Sequence, residues 1–333
     1  MPQPNPVGHR RETIGVSADL HTSVERASQA SAMLAAAMPR LVLEALRIAS
    51  SVQHGLHGRR RAGTGENFWQ YRRFLDGEPA ARVDWRRSAR DDHLYVRERE
   101  WEAAHTVWLW PSLSASMDYA SARLAPKRER ALVIAFALAD LLVKGGERVG
   151  LPDVMRPSAS RRIVERLAEA MLHAPTAPAL PPAFTPSPLS EVVLLGDFWS
   201  PTAAVCARIQ HLAGTGAKGQ VVQIVDPSEE TFPFSGRIAF HGPDGGESLT
   251  VGRAETWRGE YDIRLATHRA ALRETCLKMG WGFTIHRTDR PASELLLALH
   301  ARMGMGMGMG AGAGTGAGLG RDAAAPVMED LRA

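Results

Sequence analysis

The chain has 333 residues, of which 44% are hydrophobic and 23% are charged, and its formal net charge is +4. This size and composition fit one large or two modest globular domains, and the small net charge argues against a dedicated nucleic-acid binder. The two cysteines, Cys206 and Cys276, form no metal-binding motif. Their small number favours a reducing compartment, and the alternative is a single disulfide bond between them.

The N-terminal part of the chain divides into three segments of different character. Residues 1–28 are polar and contain prolines, which predicts disorder, and they lack the apolar run of a signal peptide. Residues 29–57 carry apolar residues at helical spacing, and Pro39 could begin the main helix at its first turn. Residues 58–100 are rich in arginine, acid and aromatic residues with turn signals between, which predicts a small β-rich lobe packed on the following domain.

Strand-like and helical segments alternate from residue 101 to 302. Strands are predicted at 106–110, 148–151, 191–195, 220–225 and 281–286, and helices at 126–144, 161–173, 202–212, 255–279 and 292–303. A Gly/Pro/Asp turn within residues 237–251 predicts a hairpin insertion. Because apolar strands alternate with helices, we predict an α/β fold with a doubly wound, mainly parallel sheet.

No segment has the length and apolarity expected of a membrane span. The most apolar stretch, residues 131–143, is shorter than the about 20 residues needed and contains Asp140. A buried helix is the better interpretation. Residues 303–333 are rich in Gly, Met and Ala and are predicted to form a disordered tail. We therefore expect a soluble, cytoplasmic protein.

An ordered series of motifs between residues 63 and 117 resembles the signature of the DUF58 family. It comprises a Gly-x-Gly before an acidic residue, an aromatic-Arg segment, an acidic turn, Arg-x-Asp-Trp, Ser-Ala-Arg, a Leu-x-Val-basic-Glu strand and a serine-rich loop. The acidic segment at 221–236 resembles the family's as well. The matching residues before the loop are Gly63, Gly65, Glu66, Phe68, Tyr71, Arg72, Arg73, Asp76, Gly77, Arg82, Asp84, Trp85, Ser88, Ala89, Arg90, Leu94, Val96 and Glu98.

This resemblance implies a von Willebrand factor A-like domain, which is itself doubly wound. Members of the family are thought to act beside MoxR-type AAA+ ATPases in the assembly or maturation of other complexes. No enzymatic activity is established for the family as such. We therefore expect a bacterial, non-catalytic protein-interaction module that works as partner or adaptor of such an ATPase.

The resemblance also implies where a metal site would lie. In von Willebrand A domains an Asp-x-Ser-x-Ser loop after the first strand holds Mg²⁺, together with a Thr and an Asp from later loops. Here Ser114 and Ser116 match the serines and Asp197 the later Asp, but Ser112 stands at the first Asp position. Loss of that carboxylate weakens binding of a hard dication. We therefore expect a degenerate site with no cofactor, whose serines bond backbone amides, and Mg²⁺ is the one candidate ion.

A second candidate surface is the segment around Trp85, which combines arginines with acidic residues. Balanced charge favours an internal ion-pair network over a nucleic-acid surface, and we predict a protein-binding face here. The alternative to an interaction module is a Mg²⁺-dependent enzyme acting on phosphate esters, with Ser114, Ser116 and Asp197 around the ion and Arg90 near the phosphate. The predicted interaction residues are Arg82, Asp84, Trp85, Arg86, Ser88 and Arg90.

Overall fold

Eighteen helices and strands are seen in the computed structural model, which describes residues 13–57, 68–75, 78–90, 92–99, 105–121, 124–174, 178–242 and 248–308. Short 3₁₀ helices lie at Ala80–Arg82, Ala115–Asp118 and Ala254–Trp257. In chain order the elements are α1 (Thr13–His57), β1 (Phe68–Arg73), α2 (Trp85–Ser88), β2 (Tyr95–Arg99), β3 (Thr106–Pro111), α3 (Lys127–Lys144), β4 (Arg148–Leu151), β5 (Met155–Ser158), α4 (Ile163–Leu172), β6 (Glu191–Gly196), α5 (Thr202–Ala213), β7 (Lys218–Val225), α6 (Pro227–Thr231), β8 (Ile238–His241), β9 (Ser248–Val251), α7 (Arg258–Lys278), β10 (Gly282–Arg287) and α8 (Ala292–Gly308).

The central sheet has six strands in the order β10-β7-β6-β3-β4-β5. Neighbouring strands are parallel except at one edge, where β5 runs antiparallel to β4. The strand order reverses between β3 and β6. Strands β4 and β5, which follow β3 in sequence, lie on one side of it, and β6, β7 and β10 lie on the other side. This confirms the prediction of a mixed α/β fold with a mainly parallel sheet.

Helices cover both faces of the sheet. Successive residues of a strand point to opposite faces, so Val193 and Leu195 of β6 join one apolar cluster and Val192 and Leu194 join another. The first cluster includes residues of α1, α3, α4 and α8, and the second includes residues of α5 and α7. The sheet is thus doubly wound around two apolar layers.

Helix α3 is buried on every side over residues 131–140. It packs on the sheet with one side, and α1 covers another, which explains its nearly continuous apolar sequence. Asp140 is accommodated because Lys144 donates to it at 2.7 Å. The prediction of a buried helix here is confirmed. No helix in the described ranges is long and apolar enough to cross a membrane.

Helix α1 differs from its prediction, because it begins before residue 29 and runs through Pro39. Proline inside a helix removes one hydrogen bond and costs about 3 kcal/mol. Met38 and Leu41, on the same stretch of α1, are 4% and 0% exposed in the apolar cluster, and burial of such side chains favours the continuous helix. Pro39 itself is exposed.

Further outcomes concern the smaller elements and the ends of the chain. The predicted hairpin is present as the antiparallel pair β8–β9, and β1 and β2 pair antiparallel within the segment predicted as a β-rich lobe. Edge strand β5 was not predicted. Disorder was predicted at 1–28 and 303–333. Residues 13–28 and 303–308 are instead helical, in α1 and α8, and residues 1–12 and 309–333 lie outside the described residues. Cys206 and Cys276 are free thiols.

Candidate functional site

The candidate site lies at the carboxyl ends of β3 and β6, where the strand order reverses. Open α/β sheets bind ligands at such a point. The two strand ends lie close together: the Ser112 amide donates to the Leu195 carbonyl at 2.7 Å. A Cβ at Gly196 would lie 3.1 Å from Ser112 Cβ, so glycine permits this approach of β6 to the loop after β3.

The three predicted serines form one chain of hydroxyl groups. Ser112 Oγ lies 3.0 Å from Ser114 Oγ, which lies 3.1 Å from Ser116 Oγ. Ser112 and Ser114 are 1% and 5% exposed. The expected bond to a backbone amide occurs at Ser112 Oγ, which accepts from the Ser114 amide at 3.4 Å. The hydroxyls otherwise satisfy one another.

Asp197 follows β6 directly and is paired with a lysine that the sequence did not suggest. Lys127 Nζ donates to Asp197 Oδ2 at 2.9 Å and to Glu229 Oε1 at 2.5 Å. The Lys127 side chain is fully buried and that of Asp197 is 4% exposed. Phe198, the next residue, has a left-handed φ of 57°, which is uncommon for an aromatic residue. Its buried ring lies 6.3 Å from that of Trp110.

The turn after β7 contributes two further carboxylates, Asp226 and Glu229. Asp226 accepts from the amide and hydroxyl of Ser121 at 2.8 and 3.0 Å, and from those of Ser228 at 2.9 and 2.7 Å. Burial raises the pKa of Asp226, but these hydrogen bonds outweigh burial and lower it. Tyr119 Oη also lies 2.7 Å from Ser228 Oγ. The segment after the serine loop is therefore bound to the β7–α6 turn.

Sequence reasoning missed Lys127, Asp226 and Glu229 as members of this site. The signal for Lys127 is its place in the first turn of α3, where the helix dipole disfavours a cation. Asp226 and Glu229 form a capping box around α6, and an Asp followed three residues later by Glu is readable as such. Neither pattern predicts that Lys127 and Glu229 meet at the same edge of the sheet, because that depends on the strand order.

An apolar cavity of about 130 Å³ opens beside the serine loop. Its wall includes Leu109, Trp110 and Leu113 on one side and Leu151, Val154 and Met171 on the other. The carboxyl ends of β3 and β4 therefore present an apolar recess next to the loop that carries the three serines.

The segment around Trp85 lies in the lobe formed by β1, α2 and β2. Asp84 caps α2 by accepting from the Arg87 amide at 3.0 Å, and buried Ser88 accepts from the Tyr95 amide at 2.8 Å. These two residues stabilise the lobe. Trp85 is 62% exposed, and Arg86 and Arg90 are exposed as well. The Arg82 side chain lies outside the described part of the chain, although its backbone closes a 3₁₀ helix.

Arg87 lies over two aromatic rings of the lobe. Its guanidinium carbon is 4.6 Å from the centre of the Tyr95 ring and 5.9 Å from that of Tyr71. These contacts place Arg87 inside the lobe, whereas Trp85 presents its ring to solvent.

Fold and site together define an α/β protein with a mainly parallel six-stranded sheet and a polar network at the strand ends. The DUF58 family, described as "Protein of unknown function DUF58", matches residues 70–271. The match spans more than half of the chain, and the chain therefore belongs to the DUF58 family.

Relatives were also found among curated proteins and solved structures. Uncharacterised proteins of Mycobacterium bovis and of Mycobacterium tuberculosis are each 27% identical over 281 residues, which is 77% of this chain and 86% of the relative. The crystal structure of the conserved hypothetical protein BatB from Bacteroides thetaiotaomicron covers 61% of this chain and 100% of its own length. Its identity is 13% and its TM-score is 0.36.

Proposed function

We propose that the protein is a non-catalytic interaction module with a von Willebrand A-like domain, and that it is a partner of a MoxR-type AAA+ ATPase. The observation that carries the proposal is the character of the sheet edge at the strand reversal. Its polar groups bond one another, and beside them lies an apolar cavity. An apolar recess next to a rigid polar network suits the side chain of a protein partner better than a reacting phosphate or acyl group.

The lobe supplies a second surface for the same purpose. Trp85 is exposed in a segment that also presents Arg86 and Arg90, and Trp and Arg are enriched among residues that dominate protein interfaces. In this proposal the ATPase provides nucleotide hydrolysis, since the sequence carries no phosphate-binding loop of its own.

The alternative, a Mg²⁺-dependent enzyme acting on phosphate esters, has weaker support. It needs Asp197 as a ligand, and the Asp197 carboxylate accepts a hydrogen bond from buried Lys127 instead. Mg²⁺-dependent turnover of a phosphodiester by the purified protein, lost in Asp197→Asn, would favour this alternative.

The test is co-purification of the tagged protein from native cells under nucleotide-trapping conditions. The Val154→Asp variant puts a charge on the cavity wall at a residue that is 41% exposed, so the fold should tolerate it. We expect a MoxR-type ATPase to co-purify with the wild type and to be depleted at least about tenfold with Val154→Asp, which corresponds to about 1.4 kcal/mol.

The matched control is Leu277→Asp, at a 77% exposed position of α7, a helix that does not line the cavity. This variant should retain the ATPase. Absence of any such ATPase from the wild-type eluate would contradict the proposed partner. If Val154→Asp and Leu277→Asp recovered equal amounts of the ATPase, the cavity would not be the contact surface.

A further inference from the structure

Lys127 occupies a position where a lysine is not expected on general grounds. It is the first residue of α3, its amine is completely buried, and the N-terminus of a helix repels positive charge. Lysine is almost never fully buried unless it is paired. The arrangement is stable only because two carboxylates from different strand ends, Asp197 after β6 and Glu229 after β7, bind the amine.

The carboxylate oxygens around Lys127 already accept hydrogen bonds from the chain. Asp197 Oδ2 accepts from Lys127 at 2.9 Å, and Oδ1 from the Trp199 amide at 3.5 Å. Glu229 Oε1 accepts from Lys127 at 2.5 Å and from the Trp199 indole at 3.0 Å, while Oε2 accepts from the Asp226 amide at 2.8 Å. A metal ion here would have to displace these donors.

The charge of the cluster leads to the same conclusion. A dication bound to Asp197 would sit within a few ångströms of the Lys127 amine, and like charges at such a distance in a buried site repel strongly. Ser112 adds no negative charge, since a serine hydroxyl is neutral, and this hydroxyl lies 3.0 Å from Ser114 Oγ. Within the described residues, no group of three or more His, Cys, Asp or Glu side chains is placed to hold a metal ion.

We propose that the Lys127 ammonium is the resident cation of this sheet edge, where it bridges the ends of β6 and β7 in the place of a divalent metal ion. The edge is then permanently assembled, and its geometry does not depend on Mg²⁺. Because the inference concerns the isolated protein, its test is independent of whether an ATPase binds.

The test compares divalent-ion binding by the wild type, Lys127→Ala and Lys144→Ala after removal of metals by chelation. Lys144 is the matched control, since it pairs with Asp140 at the other end of α3 and its side chain is 46% exposed. Calorimetric titration with Mg²⁺ and Mn²⁺ should give no site-specific heat for the wild type or Lys144→Ala. Lys127→Ala should show a lower Tm, raised again by millimolar Mn²⁺, and one new binding site.

Wild-type binding of Mg²⁺ that is lost in Asp197→Asn would overturn the proposal, and so would a folded Lys127→Ala variant that gains no ion binding. If Lys127→Ala folds only when Mn²⁺ is added, the proposal is supported. If it folds neither with nor without Mn²⁺, an NMR titration of the wild-type protein with Mn²⁺ tests the proposal instead. Mn²⁺ that broadens the NMR signal of the Trp199 indole N–H, which contacts Glu229, would refute the proposal, and an unchanged signal would support it.

Discussion

At the scale of single residues, we predict that His286 of β10 makes the protein sensitive to acid. Burial lowers the pKa of His286 from its ordinary value of 6.5 to about 4; the Arg130 charge adds to this effect and Asp289 opposes it. The imidazole is 5% exposed, and its Nε2 has no hydrogen-bond partner in the described part of the chain. The folded protein therefore holds this imidazole in its neutral form.

The sign of the pH effect follows from the lowered pKa. Between pH 6.5 and about 4 the unfolded chain binds a proton at His286 and the folded protein does not, so stability falls as the pH falls through this window. The full loss is about 3 kcal/mol, at about 1.4 kcal/mol per pKa unit. We expect the unfolding free energy of His286→Phe, measured by urea denaturation, to fall across this window by about 3 kcal/mol less than that of the wild type.

The control for this prediction is His300→Gln, since His300 is exposed on α8. Comparison of its pH profile with that of His286→Phe separates the effect of the buried imidazole from that of removing any histidine. Identical profiles for wild type and His286→Phe would mean that His286 is not held neutral in the fold.

The residues of the candidate site were predictable to different extents. Alternating serines after an apolar strand located Ser112, Ser114 and Ser116, and an Asp directly after another such strand located Asp197. Lys127 could not be found in this way, because its importance arises from contacts with residues 70 and 102 positions away in the chain. Only the three-dimensional strand order brings those partners to the first turn of α3.

At the scale of secondary-structure elements, the close packing of β7 against the residue before β10 depends on a glycine. A Cβ at Gly219 would lie 2.3 Å from two atoms of the Trp281 ring. That ring is 5% exposed and is fixed by the bond from its Nε1 to the Ala217 carbonyl at 3.0 Å. The indole therefore cannot move aside without losing a buried hydrogen bond.

We predict that Gly219→Ala lowers the unfolding free energy by about 1–3 kcal/mol, the usual cost of overpacking a filled core. Gly252→Ala is the matched control, since nothing lies within 4 Å of a Cβ at that position, and its effect should stay within about 0.5 kcal/mol. Chemical denaturation of both variants measures the difference. A Gly219→Ala variant as stable as Gly252→Ala would contradict the contact with Trp281.

Apolar periodicity located most of the elements, for a physical reason. Strands β3, β6 and β7 are buried on both faces, so they stand out as short apolar runs, and α3 stands out because α1 and the sheet enclose it. Strand β5 could not be found in this way, because it is a half-exposed edge strand containing Pro157. Proline is tolerated there, since an edge strand leaves some amides unpaired. The continuity of α1 through Pro39 likewise depends on tertiary packing.

At the scale of the whole molecule, the core extends beyond the part of the chain that the family match covers. The match spans residues 70–271, whereas the apolar cluster on one face includes Leu41, Ala45 and Ala49 of α1 and Leu296 and Leu299 of α8. Strand β10 and Trp281 also lie outside the matched range. The matched segment therefore lacks part of the apolar core.

We predict that a chain cut to residues 70–271 will not fold, whereas one spanning residues 29–308 will. The shorter chain lacks α1, β10 and α8, so the outer side of α3 and one side of β7 would be exposed to water. It should bind the dye ANS, lack near-UV circular dichroism and unfold without a cooperative transition. The longer chain should show a single sigmoidal urea transition. If the 70–271 chain showed a cooperative transition with native near-UV signals, α1 and α8 would be accessory to the core. The side chains of Leu41 in α1 and Leu296 in α8 are 0% exposed, which argues against that outcome.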